Sequence, residues 1–227
     1  MRLVLPRRRQ VLSLLGAAAA VAAVPVSSPA QAPPANEPAN RNTPEFIIYQ
    51  GPINNKSVRD IMLVVRQATI KSKDVTLAIT TTGGAVGPGL ALYNFLRGLP
   101  VPVTTFNIAS VESMGTIIFL AGTNRVATKD AIFMIHPTSM TLNNATFTAP
   151  DFDDRATDLM LGRKAMEDIY RDRTDLTASQ IEESEKRQVF FTAEQALAAK
   201  IIDKIAPFAM SPDALVTAID PPSNNYP

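Results

Sequence analysis

The sequence has no cysteine among its 227 residues. This excludes disulfides, thiolate zinc sites and a cysteine nucleophile together. It has a single histidine, so a multi-histidine metal centre is excluded as well. It also lacks an excess of either charge, with 22 Lys and Arg against 21 Asp and Glu. Several of the positive charges fall in the first ten residues, which leaves the rest neutral to slightly acidic. There is no global basic field of the kind that binds nucleic acid.

What is present begins with a basic and then apolar N-terminus. Arg7, Arg8 and Arg9 precede an Ala/Val/Leu-rich run that reaches about Val26, followed by Ser, Pro and Ala. The pattern predicts a removable export signal over 1–32, cleaved after Ala30 or Ala32. Arg8-Arg9-Gln10-Val11-Leu12 resembles the twin-arginine signature. The expected location is periplasmic or otherwise extracytoplasmic. A retained membrane-anchored form is the alternative, although Pro25 breaks the run and it is short for a spanning helix. Residues 33–44 read as a Pro/Ala/Asn-rich linker, 45–212 as the folded domain and 213–227 as a flexible tail.

Within the domain, apolar runs alternate with helical patterns. Phe46–Tyr49, Val75–Thr80, Val103–Ala109 and Ala131–His136 read as strands. A helix is expected over Ser57–Ser72, with Ser57 as its N-cap and Val58, Ile61, Met62, Val65 and Ala68 at helical spacing. Further helices are expected around Leu90–Leu99 and Met114–Ala121. Continuous apolar strands separated by helices predict an α/β fold with a mainly parallel sheet covered by helices.

Two segments carry candidate chemistry. Ser113-Met114-Gly115 lies between a strand and a helix, where backbone N–H groups and the positive end of the helix dipole favour developing negative charge. The rival reading is an ordinary serine helix cap. Thr82-Gly83-Gly84-Ala85-Val86-Gly87-Pro88-Gly89 also runs from strand to helix. No Lys-Ser/Thr pair follows its glycines, which argues against a phosphate loop. An oxyanion hole or a simple tight turn remains. His136 ends an apolar strand at the sheet edge where such folds place their sites; a structural hydrogen-bonding role is the alternative.

The order and wording of these pieces resemble the Clp protease proteolytic subunit family. Thr82-Gly83-Gly84, Ser113-Met114-Gly115, Met134-Ile135-His136-Pro137 and Phe190-Phe191-Thr192-Ala193-Glu194-Gln195-Ala196, followed by Ile201-Ile202-Asp203, carry the resemblance over about Phe46 to Ile205. The resemblance implies a Clp-protease/crotonase-like fold with a protruding handle helix. It implies Ser113 as nucleophile, His136 as base, and the amides of Gly84 and Met114 as oxyanion hole. It implies a homo-oligomeric ring acting on peptides or unfolded chains, with no cofactor and no metal. An ATPase partner is not expected for an exported chain.

Thr148–Arg173 suits the handle. Thr148 and Asp151 form a capping box, and Phe152, Ala156, Leu159, Met166 and Tyr170 form an apolar stripe. Such a stripe either packs on its own core or mediates assembly. The family's third catalytic residue, an Asp, falls on Gln188 here, with Glu185 as the alternative. Lys200 replaces a glycine and predicts a different helix ending. Glu112, beside Ser113, replaces a small residue. A catalytically silent assembly or binding module and a crotonase-like acyl-thioester enzyme are the rival functions.

Overall fold

The computed structural model describes residues 43–140 and 146–220. The expected export signal, nearly all of the linker, and residues 221–227 of the expected tail lie outside the described residues.

The chain alternates as the apolar runs suggest. Strand β1 (Glu45–Gln50) leads to helix α1 (Asn55–Lys71), β2 (Val75–Thr80), α2 (Val86–Arg97) and β3 (Val103–Asn107). A short β4 (Ser110–Glu112) precedes α3 (Met114–Phe119), β5 (Asn124–Ala127) and β6 (Ile132–Ile135). The long α4 (Ala149–Arg173) and short α5 (Ala178–Ser184) follow. Then come β7 (Val189–Thr192), α6 (Ala193–Ala198), β8 (Lys204–Ile205) and β9 (Leu215–Ile219). Six strands form one sheet in the order β8-β5-β3-β2-β1-β9, and every pair in it is parallel. A second sheet, β4-β6-β7, pairs β4 parallel and β7 antiparallel to β6. The expected α/β fold, with a mainly parallel covered sheet, is the fold observed.

Burial explains the sequence pattern. The first five residues of β2 are all buried because β2 is central and helices cover the sheet, so no alternation survives there. Ile47, Tyr49, Leu77, Ile79, Leu92, Ile117, Phe119 and Phe133 join one core. Three details differ from expectation. Asn54, not Ser57, caps α1: its Oδ1 accepts from the amides of Lys56 and Ser57, and Ser57 Oγ accepts from the Asn54 amide, all at 2.9 Å. The helix after the glycine-rich turn starts at Val86, four residues before Leu90. Residues 215–219, read as flexible tail, form β9, because the open edge of β1 supplies a full ladder of partners from Glu45↔Leu215 to Tyr49↔Ile219.

The stripe on α4 divides. Met166 and Tyr170 are buried against the domain core, whereas Phe152 and Ala156 are exposed. Met160 and Leu161, outside the stripe, are also exposed, at 69% and 66%. The N-terminal half of the helix therefore projects, as expected of a handle. Asp151 Oδ2 accepts from both the amide and the hydroxyl of Thr148 at 2.6 Å. These bonds hold its carboxyl below the usual range.

Candidate active site

Ser113 is placed by the crossing of the two sheets. The amide of Glu112 donates to Thr81 O at 2.9 Å and that of Ser113 to Met134 O at 2.7 Å, so the end of β4 is clamped between β2 and β6. The chain then turns into α3 with Ser113 at φ 54° and ψ −126°, a conformation rare for a residue with a side chain. Its hydroxyl makes no cap hydrogen bond. The ordinary helix-cap reading therefore does not hold: the strain presents the hydroxyl instead of tying it to the helix.

The glycine-rich turn lies against this serine. A Cβ at Gly83 would stand 2.6 Å from Ser113 Cβ, so only glycine permits the approach. The next residue, Gly84, bridges to Ile53 in parallel register. The bonds of that bridge come from its neighbours, Ile53 N–H to Gly83 O and Ala85 N–H to Ile53 O, both 2.8 Å. In a parallel bridge the residue between such bonds directs its own N–H away from the partner strand. Among the described residues the Gly84 amide is therefore unspent, and so is that of Met114 at the first position of α3.

Gly84, Ser113, Met114 and His136 line one cavity of about 160 Å³, together with Thr82, Val86, Thr138, Ser139 and Met166. His136 follows β6 directly, and its Nδ1 lies 2.7 Å from the carbonyl oxygen of Pro137. A carbonyl only accepts, so the hydrogen bond assigns the proton to Nδ1 and leaves Nε2 as the acceptor of the neutral ring. No hydrogen bond joins Ser113 Oγ to the ring among the described residues. A catalytic hydrogen bond can form only once substrate is bound, so its absence here does not separate the two groups.

The two candidates for a third member are placed differently. The β6–β7 register ends at Ile135↔Val189, so Gln188 and His136 each lie one residue beyond the last paired position. Gln188 is exposed and makes no hydrogen bond among the described residues. Glu185 Oε2 is held by Arg163 Nε of α4 at 2.8 Å. Burial raises its pKa, with Arg163 opposing. Neither residue lines the cavity. Glu112 is drawn to its own strand neighbour, accepting from Ser110 Oγ at 2.7 Å. Among the described residues, no group of three or more His, Cys, Asp or Glu could hold a metal ion. The sequence did not point to Thr138, Ser139 or Met166 as cavity residues. Met166 was visible only as a member of the α4 stripe.

The Clp protease family profile matches residues 38–208, most of the chain and all of this site. The chain belongs to the Clp protease family. It is 29% identical over 164 residues to the ATP-dependent Clp protease proteolytic subunit of Deinococcus radiodurans, covering 70% of this chain and 79% of that one. It is likewise 29% identical over 156 residues to the ATP-dependent Clp protease proteolytic subunit 2 of Chlamydia trachomatis serovar D, covering 68% and 74%. Among solved structures, a point mutant of ClpP1 from Listeria monocytogenes superposes with a TM-score of 0.62 at 20% identity, covering 71% of this chain and 91% of that one. That likeness concerns the fold. Family membership supports serine-peptidase chemistry in general terms.

Proposed function

We propose that this chain is a serine peptidase that cleaves short peptides or unfolded chains through an acyl-enzyme. The observation that carries the reading is Ser113. Its hydroxyl is released from capping by a strained backbone and shares a cavity with the only histidine and two unspent amides. In the forward step Ser113 Oγ attacks the substrate carbonyl carbon while its proton passes to His136 Nε2. The carbonyl oxygen, now negative, is held by the amides of Gly84 and Met114. The tetrahedral intermediate expels the amine, which takes the proton from His136, and leaves an ester on Ser113. Water then attacks the ester, giving its proton to His136, and the acid product departs as Ser113 regains its proton.

The Pro137 carbonyl does part of the work of a third member. It fixes the tautomer and ring orientation but supplies no full negative charge to the imidazolium. Turnover without a carboxylate should therefore be slow. The exposed half of α4, with Phe152, Met160 and Leu161, supports self-association into the ring of this family, which sedimentation would read as a single large species. The basic and apolar N-terminus supports action outside the cytoplasm. The protein from its host should then begin near Gln31 or Pro33, and a mature chain beginning at Met1 in the cytoplasm would refute export. A silent assembly module is the second reading, favoured by Gln188, a neutral amide just beyond the last β6–β7 pair next to His136. Hydrolysis of a fluorogenic peptide by wild type and Ser113→Ala decides between them: activity in wild type that vanishes in the variant supports the peptidase, and equal rates end it.

A further inference from the structure

A second, larger cavity of about 500 Å³ lies on the other side of the glycine-rich turn, at the C-terminal ends of β1, β2 and β9. Open parallel sheets present ligands at this edge. Thr82 lines both this cavity and the one holding Ser113, so the two are neighbours across a single residue. Ile48, Pro52 and Ile219 give it apolar walls. Asp220 is the one charged side chain lining it, is exposed, and has no ion pair or hydrogen bond among the described residues. Ser110, also in the lining, holds the carboxylate of Glu112 nearby. Among the described residues, no Lys or Arg lines the space. The wall carrying Asp220 is added by β9, which lies beyond the 38–208 span shared with the family.

We infer that this cavity is a substrate subsite that takes a lysine or arginine side chain of the peptide being cleaved. Such a side chain has an apolar stem for the Ile48, Pro52 and Ile219 walls and a cationic tip for Asp220. Thr82, shared by the two linings, is the point where a peptide with its carbonyl at Ser113 would reach this cavity. The subsite rests on the acyl-transfer reading for its catalytic use, but its binding can be read separately.

The probes are blocked peptides identical except for one residue, lysine against norleucine, moved along either side of the cleaved bond. Wild type is expected to favour lysine at one position by roughly two- to fivefold in kcat/KM, the size of an exposed ion pair. Asp220→Asn removes that preference, Asp220→Glu keeps it, and high salt weakens it in the wild type. A wild type with no position that favours lysine, or a preference that survives Asp220→Asn, overturns the inference. If no peptide is hydrolysed, the acyl-transfer reading has failed, and calorimetric titration of the same peptide pairs reads the subsite alone. Tighter lysine-peptide binding that is lost in Asp220→Asn supports it; equal binding by the two proteins, or none, overturns it.

Discussion

Among the described residues, two turns hold a residue other than glycine at positive φ, and they use the strain in opposite ways. Ser113, at φ 54°, begins α3; Lys200, at φ 52°, ends α6. At Lys200 the strain closes hydrogen bonds. The Lys200 amide donates to Leu197 O at 3.1 Å and that of Ile201 to Ala196 O at 2.8 Å, the paired bonds of a Schellman ending. The helix therefore stops as a glycine there would make it stop, contrary to the expectation of a different ending. Lys200 Nζ pairs with Asp175 at 2.7 Å, and the turn is anchored by Asp203 on the buried Arg125. At Ser113 the strain leaves a hydroxyl without a helix partner. A cost of about 1–3 kcal/mol is compensated at the first turn by local bonding, and at the second it is maintained by the clamp from Thr81 and Met134. The strain at Lys200 satisfies the backbone, whereas that at Ser113 frees a side chain, which is what the proposed nucleophile requires.

Glycine at each position separates the two kinds, and the largest contrast comes from Ser113→Gly. Turnover should fall by at least about 10⁴-fold, while thermal unfolding shifts toward higher stability by about 1 kcal/mol as the strain is relieved. A lower melting midpoint would contradict the strain. Gly83→Ala attacks the same turn from the other side. Its Cβ would meet Ser113 Cβ at 2.6 Å, so activity should drop about 100-fold, with a destabilisation of about 2 kcal/mol; kinetics and a denaturant titration measure both.

Asp203→Asn loosens the anchor of the Lys200 turn. Asp203 Oδ1 accepts from Arg125 Nη2 at 2.6 Å, and Oδ2 from Arg125 Nε and backbone N at 3.2 and 2.9 Å. Burial alone would raise the Asp203 pKa, but these bonds and the charge of Arg125 outweigh it and hold the carboxyl below its ordinary 3.8. Its contribution is thus present at neutral pH and is lost as pH falls below about 4 through the lowered value. The variant should be less stable by about 2 kcal/mol at pH 7, a deficit that shrinks in acid. Gln188→Asp should raise turnover about tenfold if the carboxylate, one residue beyond the Ile135↔Val189 pair, reaches His136. Glu185→Gln should change turnover little, because Arg163 holds that carboxylate. The smallest effect belongs to Lys200→Gly, a stabilisation of about 0.5 kcal/mol after loss of the Asp175 pair, with no change in peptide hydrolysis.

The sequence made the parallel sheet legible because its buried strands are unbroken apolar runs, as in Val75–Thr80. It made Ser113, His136 and the Gly83-Gly84 turn legible because each sits where a strand gives way to a turn. Other features depend on distant partners. Leu215–Ile219 is strand-prone in composition, but its place just before Pro221 and Pro222 made it read as tail, and its pairing with the edge of β1 shows it to be a strand. Glu185 was a candidate orienter of His136 until Arg163, on a different helix, is seen to hold it. The hydrogen bond from His136 to its own neighbour Pro137 involves a backbone atom, which no side-chain pattern announces. Met166 gave only a periodicity signal, although it lines the cavity from α4.

The central claim is that Ser113 is a nucleophile activated by His136. Its most direct test is peptide-level mass spectrometry after brief exposure to a fluorophosphonate. One adduct is expected, on Ser113, absent from Ser113→Ala and formed at least about tenfold more slowly in His136→Ala. An unmodified Ser113 in the folded wild-type protein, or an adduct that forms equally fast without His136, would contradict it.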